Sequence, residues 1–561
     1  MNNPLPIDLH RIQPRLGNPE RLSLVRPASN FDVVADRFGG ARTFGRLFSI
    51  ARSSHQCQSC VVEDIADVGL LLDDTNEMLK LGYKCSPQNK RLLFFGAEGA
   101  LVGYVVARND NVSGEKPEWY VFESVFSKYD HPHNCVPRPG RYRVCAGETV
   151  ETVVGVMYAQ QNRRNKRCAQ VALRALLSRL DGLQDISYSQ INSFASEFPS
   201  ELDGFAPENG LSAAQIEGVL NRLGVRYKSI NYEKAADEAA ETWAKDRDWN
   251  GVDERAKSLA IADCRDKEFK SLHSSVKYAK LLYDGAESGL GALVGFRTFD
   301  GVEKSLHIVP IFGHTFNKDS WVPDSRKFYF SPEDGNAAAY VQSDNWTSSF
   351  IGHDDNVGCD YCIPRAYLRP EDVTCAVELF APGAVFSGIE AESAACKVLR
   401  ALLRQVDCDD SRWMMRIVAA TANGDIILRS VCTTADTYLK HLGEKEDWHH
   451  NKENPGVIAG FAKLKMPRML WIVEVSLPQL FPANERKLGE VVIDATVEDL
   501  PNALGADGIN AVLLSAVNWI RLPGAYYIPD ETSPEDEDDL IRFNKVDSAF
   551  KSHLPVLVLS S

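Results

Sequence analysis

The sequence predicts an α+β chain built from several domains, and three observations carry that prediction. At 561 residues the chain exceeds the size at which one core keeps growing, so it divides into units. Short apolar runs bounded by turn residues mark strands, and they are interspersed with segments of helical periodicity. There is no internal repeat and no apolar run long enough to span a bilayer. The net charge of −15 favours solubility and argues against a general nucleic-acid binder. The N-terminus lacks a basic segment followed by an apolar one, so no signal peptide is read and a cytoplasmic chain with reduced thiols is expected.

In order, residues 1–40 read as an extended arm and 41–150 as a small α+β domain with apolar runs at 91–95, 101–106 and 119–122. The Arg-Pro-Gly-Arg stretch at 138–141 reads as a loop. Residues 151–380 form a central domain. Val153 to Tyr158 is a strand, a helix begins near Cys168, and Ser212 and Gln215 make a capping box for a helix that Gly224 ends. Strands follow at 227–230, 292–296 and 306–312, with Asp300-Gly301 a hairpin turn between the last two. Residues 232–275 are rich in Glu, Lys, Asp and Ala and read as an exposed helical insertion. A third α+β domain spans 381–530, with a helix at 392–405, a hairpin around Asn423-Gly424, strands at 469–475 and 491–493, and a further apolar segment at 511–519. Residues 531–561 read as an acidic tail and a final strand.

The stretch from Gln160 to Leu173 carries the chemistry. Asn165 is a fair N-cap, which sets Cys168 at about the third helical position. Unpaired N–H groups, the positive end of the helix dipole and four nearby cations then favour the thiolate; the bland alternative is a small core residue at a helix start. A nucleophilic thiol needs a base, a group to orient the base, and donors for the oxyanion. His307 begins a strand, Asp324 follows seventeen residues later, and antiparallel neighbours bring such side chains together. Gln161 or Gln160 can donate to the oxyanion beside the Cys168 N–H, with Asn162 a substitute. His314, partnered by Asp319 or Asp324, is a rival base.

A strand leading to Gln, a loop, and Cys opening a helix resembles the papain-like cysteine peptidases. The closer likeness is to bacterial peptidase domains that cleave double-glycine leaders, over about 151–330. The matching features are Gly210-Leu211 to Leu220 and Gly224, Glu287-Ser288-Gly289 with Val294, the His307 strand ending in Gly313-His314, and the order Gln, Cys, His, Asp. Departures are Gln170-Val171 after the Cys168-Ala169 pair, the long Gln-to-Cys spacing and the 232–275 insertion. The resemblance implies a papain-like core with Cys on a helix N-terminus and His and Asp on an antiparallel sheet. It assigns Cys168 as nucleophile, His307 as base and acid, Asp324 as orienter, Gln161 as oxyanion donor, and Gly289 and His314 as substrate contacts.

The expected activity is a cysteine peptidase or hydrolase acting on a peptide or isopeptide bond of a peptide or protein substrate, without a cofactor. Two alternatives stand beside it: a transglutaminase-like acyl transferase, and an inactive papain-like scaffold that binds protein. Cys57-Gln-Ser-Cys60 and Cys359-Asp-Tyr-Cys362 could jointly hold zinc, against a default of unrelated thiols. His353-Asp-Asp-Asn356 reads as a hydrogen-bonded loop, or as an extension of the cleft or a metal site. Trp448-His449-His450 reads as solvated surface. The absence of a P-loop, of a GxGxxG opening a helix, of HExxH and of GxSxG argues against an NTPase, a Rossmann oxidoreductase or a serine hydrolase.

Overall fold

The computed structural model describes residues 7–8 and 42–559, apart from 58, 97–98, 129–133, 147–148, 163, 166, 181, 200–209, 276, 300–303, 316–339, 407–411, 445–465, 482–485, 505–508, 531–541, 549–551 and 558. Except for a two-residue strand, the arm expected over 1–40 lies outside the described residues, as do Asp319, Asp324 and Trp448-His449-His450.

The architecture is mixed α+β, as expected, and is organised on three seven-stranded sheets. The first contains β1 (Ile7–Asp8), β2 (Ser59–Ile65), β3 (Gln88–Phe95), β4 (Leu101–Asn109), β5 (Tyr120–Ser127), β7 (Gly140–Ala146) and β8 (Thr149–Tyr158). Its order is β1-β7-β8-β5-β4-β3-β2, and β6 (Asn134–Cys135) leaves it to pair with the second sheet. The second sheet contains β9 (Tyr227–Asn231), β10 (Ala292–Phe299), β11 (Lys304–Thr315), β13 (Ser349–Asp354), β14 (Gly358–Pro364) and β15 (Val373–Leu379). It runs β14-β13-β11-β10-β15-β9, and all of its pairings are antiparallel. The third joins β12 (Val341–Gln342) to β16 (Ile427–Thr434), β17 (Met469–Ser476), β19 (Gly489–Asp494), β20 (Val517–Leu522), β21 (Ala525–Pro529) and β22 (Phe543–Asp547). A small ribbon, β18 (Arg486–Lys487) with β23 (Leu554–Pro555), sits beside it.

Helix α1 (Arg42–Ser53) covers one face of the first sheet, and α2 (Leu70–Lys80) contributes to the core on the other. Helix α3 (Cys168–Leu177) is buried at every position after Cys168. It is buried on all sides because it lies between two sheets, and its two polar side chains, Gln170 and Arg174, find buried partners in Asn192 and Glu123. Val171 and Ala175 join the core of the first sheet, whereas Ala172, Leu173 and Leu176 join that of the second. Helices α4 (Tyr188–Ala195) and α5 (Ala213–Arg222) complete this second core, with the Ser212–Gln215 capping box in place.

The charged insertion is a pair of helices, α6 (Tyr232–Lys245) and α7 (Glu254–Ser275), as its composition predicts. It is not wholly solvated: Tyr232, Ala236 and Ala240 are buried. Helix α8 (Tyr278–Glu287) then feeds β10.

The structure corrects four sequence expectations. The boundary at 150/151 cuts β8, so the first unit extends to about residue 160. Residues 341–342 pair with β16 and belong to the C-terminal sheet. The expected hairpin around Asn423-Gly424 is the end of helix α10 (Arg412–Ala422), which follows α9 (Gly388–Leu403); Gly424 takes a φ of 70°, as a residue ending a helix does. The acidic stretch is no tail, because it connects β21 to its paired neighbour β22. The segment at 511–519 divides into a short helix, Ala511–Ala516, and the start of β20.

Candidate active site

The site is built where α3 meets the second sheet. Arg167 is the N-cap of α3, so Cys168 is its first residue, two positions nearer the terminus than expected. Asn165 is instead fully buried and holds the loop. Its Nδ2 donates to Asp74 Oδ1 (2.7 Å) and Glu77 Oε2 (3.2 Å), and its Oδ1 accepts from Asn162 Nδ2 (2.6 Å). Gln170, atypical by resemblance, has a local task. Its Oε1 accepts from the Arg167 N–H (3.3 Å) and its Nε2 donates to Asn192 Oδ1 (3.1 Å). One orphan donor at the helix start is thereby satisfied while the Cys168 thiol stays partly exposed.

His307 faces Cys168 from β11. Its Nε2 lies 3.3 Å from Asp354 Oδ2 and 3.5 Å from Asp355 Oδ1. The Cys168 thiol lines the same cleft and adds to the electrostatics of the ring, and with Nε2 on the carboxylates, Nδ1 is the nitrogen left to take its proton. Burial opposes a charged ring, but the bond to Asp354, with Cys168 and Asp355 beside it, outweighs that and pushes His307 up to about 10. Asp354 is held below the ordinary carboxylate range. Its burial, which opposes ionisation, is overcome by His307 and by the backbone N–H groups of Asn356 (2.8 Å) and Val357 (3.1 Å).

Asp354 is the carboxylate that the described residues bring to His307; Asp324, expected to orient it, lies outside the described residues. Antiparallel pairing of β11 with β13, in the register Ile311↔Gly352, brings Asp354 to His307. The available signal was the Asp-Asp-Asn run closing a short apolar strand, where cleft extension was one of the readings made.

The same turn positions the oxyanion candidate. Gln161 Nε2 donates to Asn356 Oδ1 (2.6 Å), and Gln161 lines the cleft with Cys168. An amide nitrogen carries two hydrogens, so one is held by Asn356 and the other is available to substrate. The rivals are occupied elsewhere. Gln160 Oε1 accepts from the Val121 N–H (2.8 Å), and buried Asn162 accepts from the Arg164 and Asn165 N–H groups. Gln161→Ala is expected to lower turnover about 10²- to 10³-fold with little change in substrate affinity, in steady-state kinetics on a cleaved peptide. An unchanged kcat would remove Gln161 from this role.

Neither His314 nor Gly289 contacts this cleft. His314 is buried, with Nε2 2.9 Å from Glu287 Oε1. Burial opposes its charge, yet Cys135 and Glu287 hold it up at about 10. Glu287 in turn binds Arg429, so His314 is part of a charge network remote from the thiol. Gly289, at φ 89°, lies against Arg138 in a different cavity; a side chain there would strike Arg138.

The cleft encloses about 740 Å³. Gly210, Leu211 and Ser212 form one wall, Gly295, Thr374 and Cys375 line another part, and Leu306 and Tyr367 stand 54% and 64% exposed along it. Two donor groups among the described residues are close enough to share an ion: His307 with Asp354 and Asp355, and Cys135 with Glu287 and His314. In the second, Arg429 already neutralises Glu287. Cys57, Cys60 and Cys359 share an apolar cluster, and the two CxxC pairs are not among these groups. No helix among the described residues is long and apolar enough to cross a membrane. No protein family, curated protein or solved structure matches the chain.

Proposed function

We propose that the chain is a papain-like cysteine hydrolase that cleaves a peptide or isopeptide bond in an extended segment laid along the Cys168 cleft. One observation carries this reading: a His307 ring bonded to the Asp354 carboxylate shares one cleft with a thiol at the first residue of a buried helix. The thiol proton passes to His307, whose two neighbours hold it there. Cys168 Sγ attacks the carbonyl carbon, and the oxygen takes the negative charge between the Cys168 N–H and Gln161 Nε2. His307 then gives its proton to the leaving nitrogen as the C–N bond breaks. Water, deprotonated by His307, attacks the thioester and releases the acid, and Sγ recovers as leaving group. The antiparallel sheet presenting His307 and the helix presenting Cys168 support the papain-like assignment.

The surrounding thiols make a selective test available. Burial pushes Cys375 up to about 11 and Cys432 up to about 12, and raises Cys60 and Cys359 as well. Iodoacetamide at pH 7, followed by peptide mass spectrometry, is expected to label Cys168 at least tenfold faster than the other cysteines. Equal labelling would overturn the proposal.

The pH dependence has a defined sign. The folded His307 value lies above its ordinary one, so imidazolium stabilisation is complete below pH about 6.5 and is lost as pH rises through about 10. Activity is expected to fall on that alkaline limb. Asp354→Asn removes the charged partner and is expected to move the limb down by about 1–2 pH units. An unmoved limb would show that another group titrates.

A further inference from the structure

A second large cavity, of about 760 Å³, opens where the first sheet, the C-terminal end of α3 and the C-terminal unit meet. It is lined by five arginines, Arg138, Arg141, Arg179, Arg226 and Arg468, and by no carboxylate among the described residues. In a chain of net charge −15 such a concentration is not a compositional accident. Arg226 is paired with Glu498 at the exposed rim (3.1 Å). Among the described residues the two deeper ones have only carbonyl hydrogen-bond partners: Arg138 Nη2 donates to Cys432 O (2.7 Å), and Arg179 donates to Arg138 O (3.3 Å) and to Leu290 O. Arg179 Nε is buried without a hydrogen-bond partner. Burial lowers both guanidinium groups, Arg179 to about 10; Cys432 and Tyr142 oppose it only in part, and at Arg179 the neighbouring Arg138 adds to it.

Two cations held side by side, desolvated and unneutralised, cost free energy unless an anion joins them. The remaining lining fits that occupant. Thr434 and Thr437 bring the first turn of the helix Ala435–Glu444 to the cavity, adding its positive dipole end. Phe380, Met469 and Leu559 supply apolar surface for an organic body. The volume is that of a small-molecule site, and the guanidinium fork matches phosphate oxygens.

We propose that this cavity is a binding site for a small organic polyphosphate, a phosphate ester of about nucleotide size, held by Arg138 and Arg179 in depth and by Arg141 and Arg468 at the mouth. The site is independent of the hydrolase reading, because no cleft residue contributes to it. It is nonetheless joined to the cleft: Arg179 follows the C-cap of the helix that begins at Cys168, about 15 Å away at 1.5 Å per residue. Arg179 also lowers His353, the neighbour of Asp354, though less than burial does.

Isothermal titration of the full chain with magnesium-free ATP and, separately, with pyrophosphate tests it at 0.15 M salt. ATP is expected to bind in the micromolar range. The rim double variant Arg141→Glu/Arg468→Glu, which removes no bond inside the fold, is expected to weaken binding at least tenfold, as is Arg138→Ala. ATP binding tighter than pyrophosphate assigns a role to the apolar wall; equal binding restricts recognition to phosphate but keeps the site. Failure of both probes to bind below about 1 mM, or binding that survives the rim variant with its fold intact by circular dichroism, would overturn the proposal.

Discussion

Cys168→Ala is expected to abolish hydrolysis, with a loss on the order of 10³- to 10⁶-fold in kcat, while substrate affinity changes little. Removing Sγ removes both the attacking atom and the acyl carrier. The cleft walls at Leu211, Thr374 and Tyr367 are untouched, so binding survives the loss of chemistry. The variant should also fold, because Cys168 is partly exposed and the helix start is held by the Gln170 bond to Arg167. Cys168→Ser keeps a hydrogen-bonding group beside His307 but offers an alcohol, which is far harder to ionise, and it should be nearly as inactive. The measurement is cleavage of a peptide library read by mass spectrometry, with the Ala and Ser variants run in parallel. Retention of more than a tenth of the activity in Cys168→Ala would end the hydrolase reading. Adding a primary amine to the wild-type reaction separates two fates of the thioester: amide products would identify an acyl transferase, and free acid alone a hydrolase.

The thiol and imidazole proposed as nucleophile and base were legible because each depends on local pattern. Cys168 follows a strand and a basic loop and opens a helix, and His307 sits in an apolar strand; both signals span about ten residues. The Asp354 carboxylate beside His307 was not legible, because its position depends on which strand returns beside β11. Among the described residues the antiparallel neighbour that brings a carboxylate to His307 is β13, 47 residues further on at Asp354. The N-cap was misread for a related reason. Asn165 suits a cap by type, but Asp74 and Glu77, from distant helix α2, claim its side chain. Gln161 could be chosen over Gln160 and Asn162 only once their partners were known. The domain limits failed where a strand crosses units, as with β6 and β12, since pairing partners that far apart leave no mark in sequence. One missed feature did leave a mark. Arg429 and Glu474 are the single charges of β16 and β17, and Glu490 lies in the buried part of β19; a charge inside a buried strand calls for a buried partner.

Those partners define the largest stability effect expected in the molecule. Arg429 Nη2 and Nε hold Glu287 at 2.9 and 3.3 Å, and Nη1 holds Glu474 at 2.6 Å and Leu557 O at 3.0 Å. Lys487 continues the chain to Glu474 (3.2 Å) and Glu490 (2.5 Å), and Arg521 closes on Glu490 (2.6 Å). All these side chains are buried. Glu287 comes from α8 of the central unit and Arg429 from β16 of the C-terminal sheet, so the guanidinium ties two units together. Burial alone would raise Glu287; Arg429 first, then His314, reverse this and depress it to about 2. A depressed carboxylate contributes stability above its unfolded range that is lost as pH falls through about 2. Arg429→Ala would leave Glu287 and Glu474 short of a cation in a dry interior, and should cost about 3–5 kcal/mol. The double variant Glu287→Gln/Arg429→Met should recover part of this, since it removes charge on both sides. Urea unfolding followed by tryptophan fluorescence reads the effect directly, because Trp471 and Trp519 are buried in the C-terminal sheet. In a chain of several units the transition need not be two-state. Loss of the Arg429 tie is therefore expected to split or broaden it, with the C-terminal signal moving to lower urea. A single transition with an unchanged midpoint in Arg429→Ala would mean that the units are joined by their apolar contacts alone, with the buried ions adding nothing to the union.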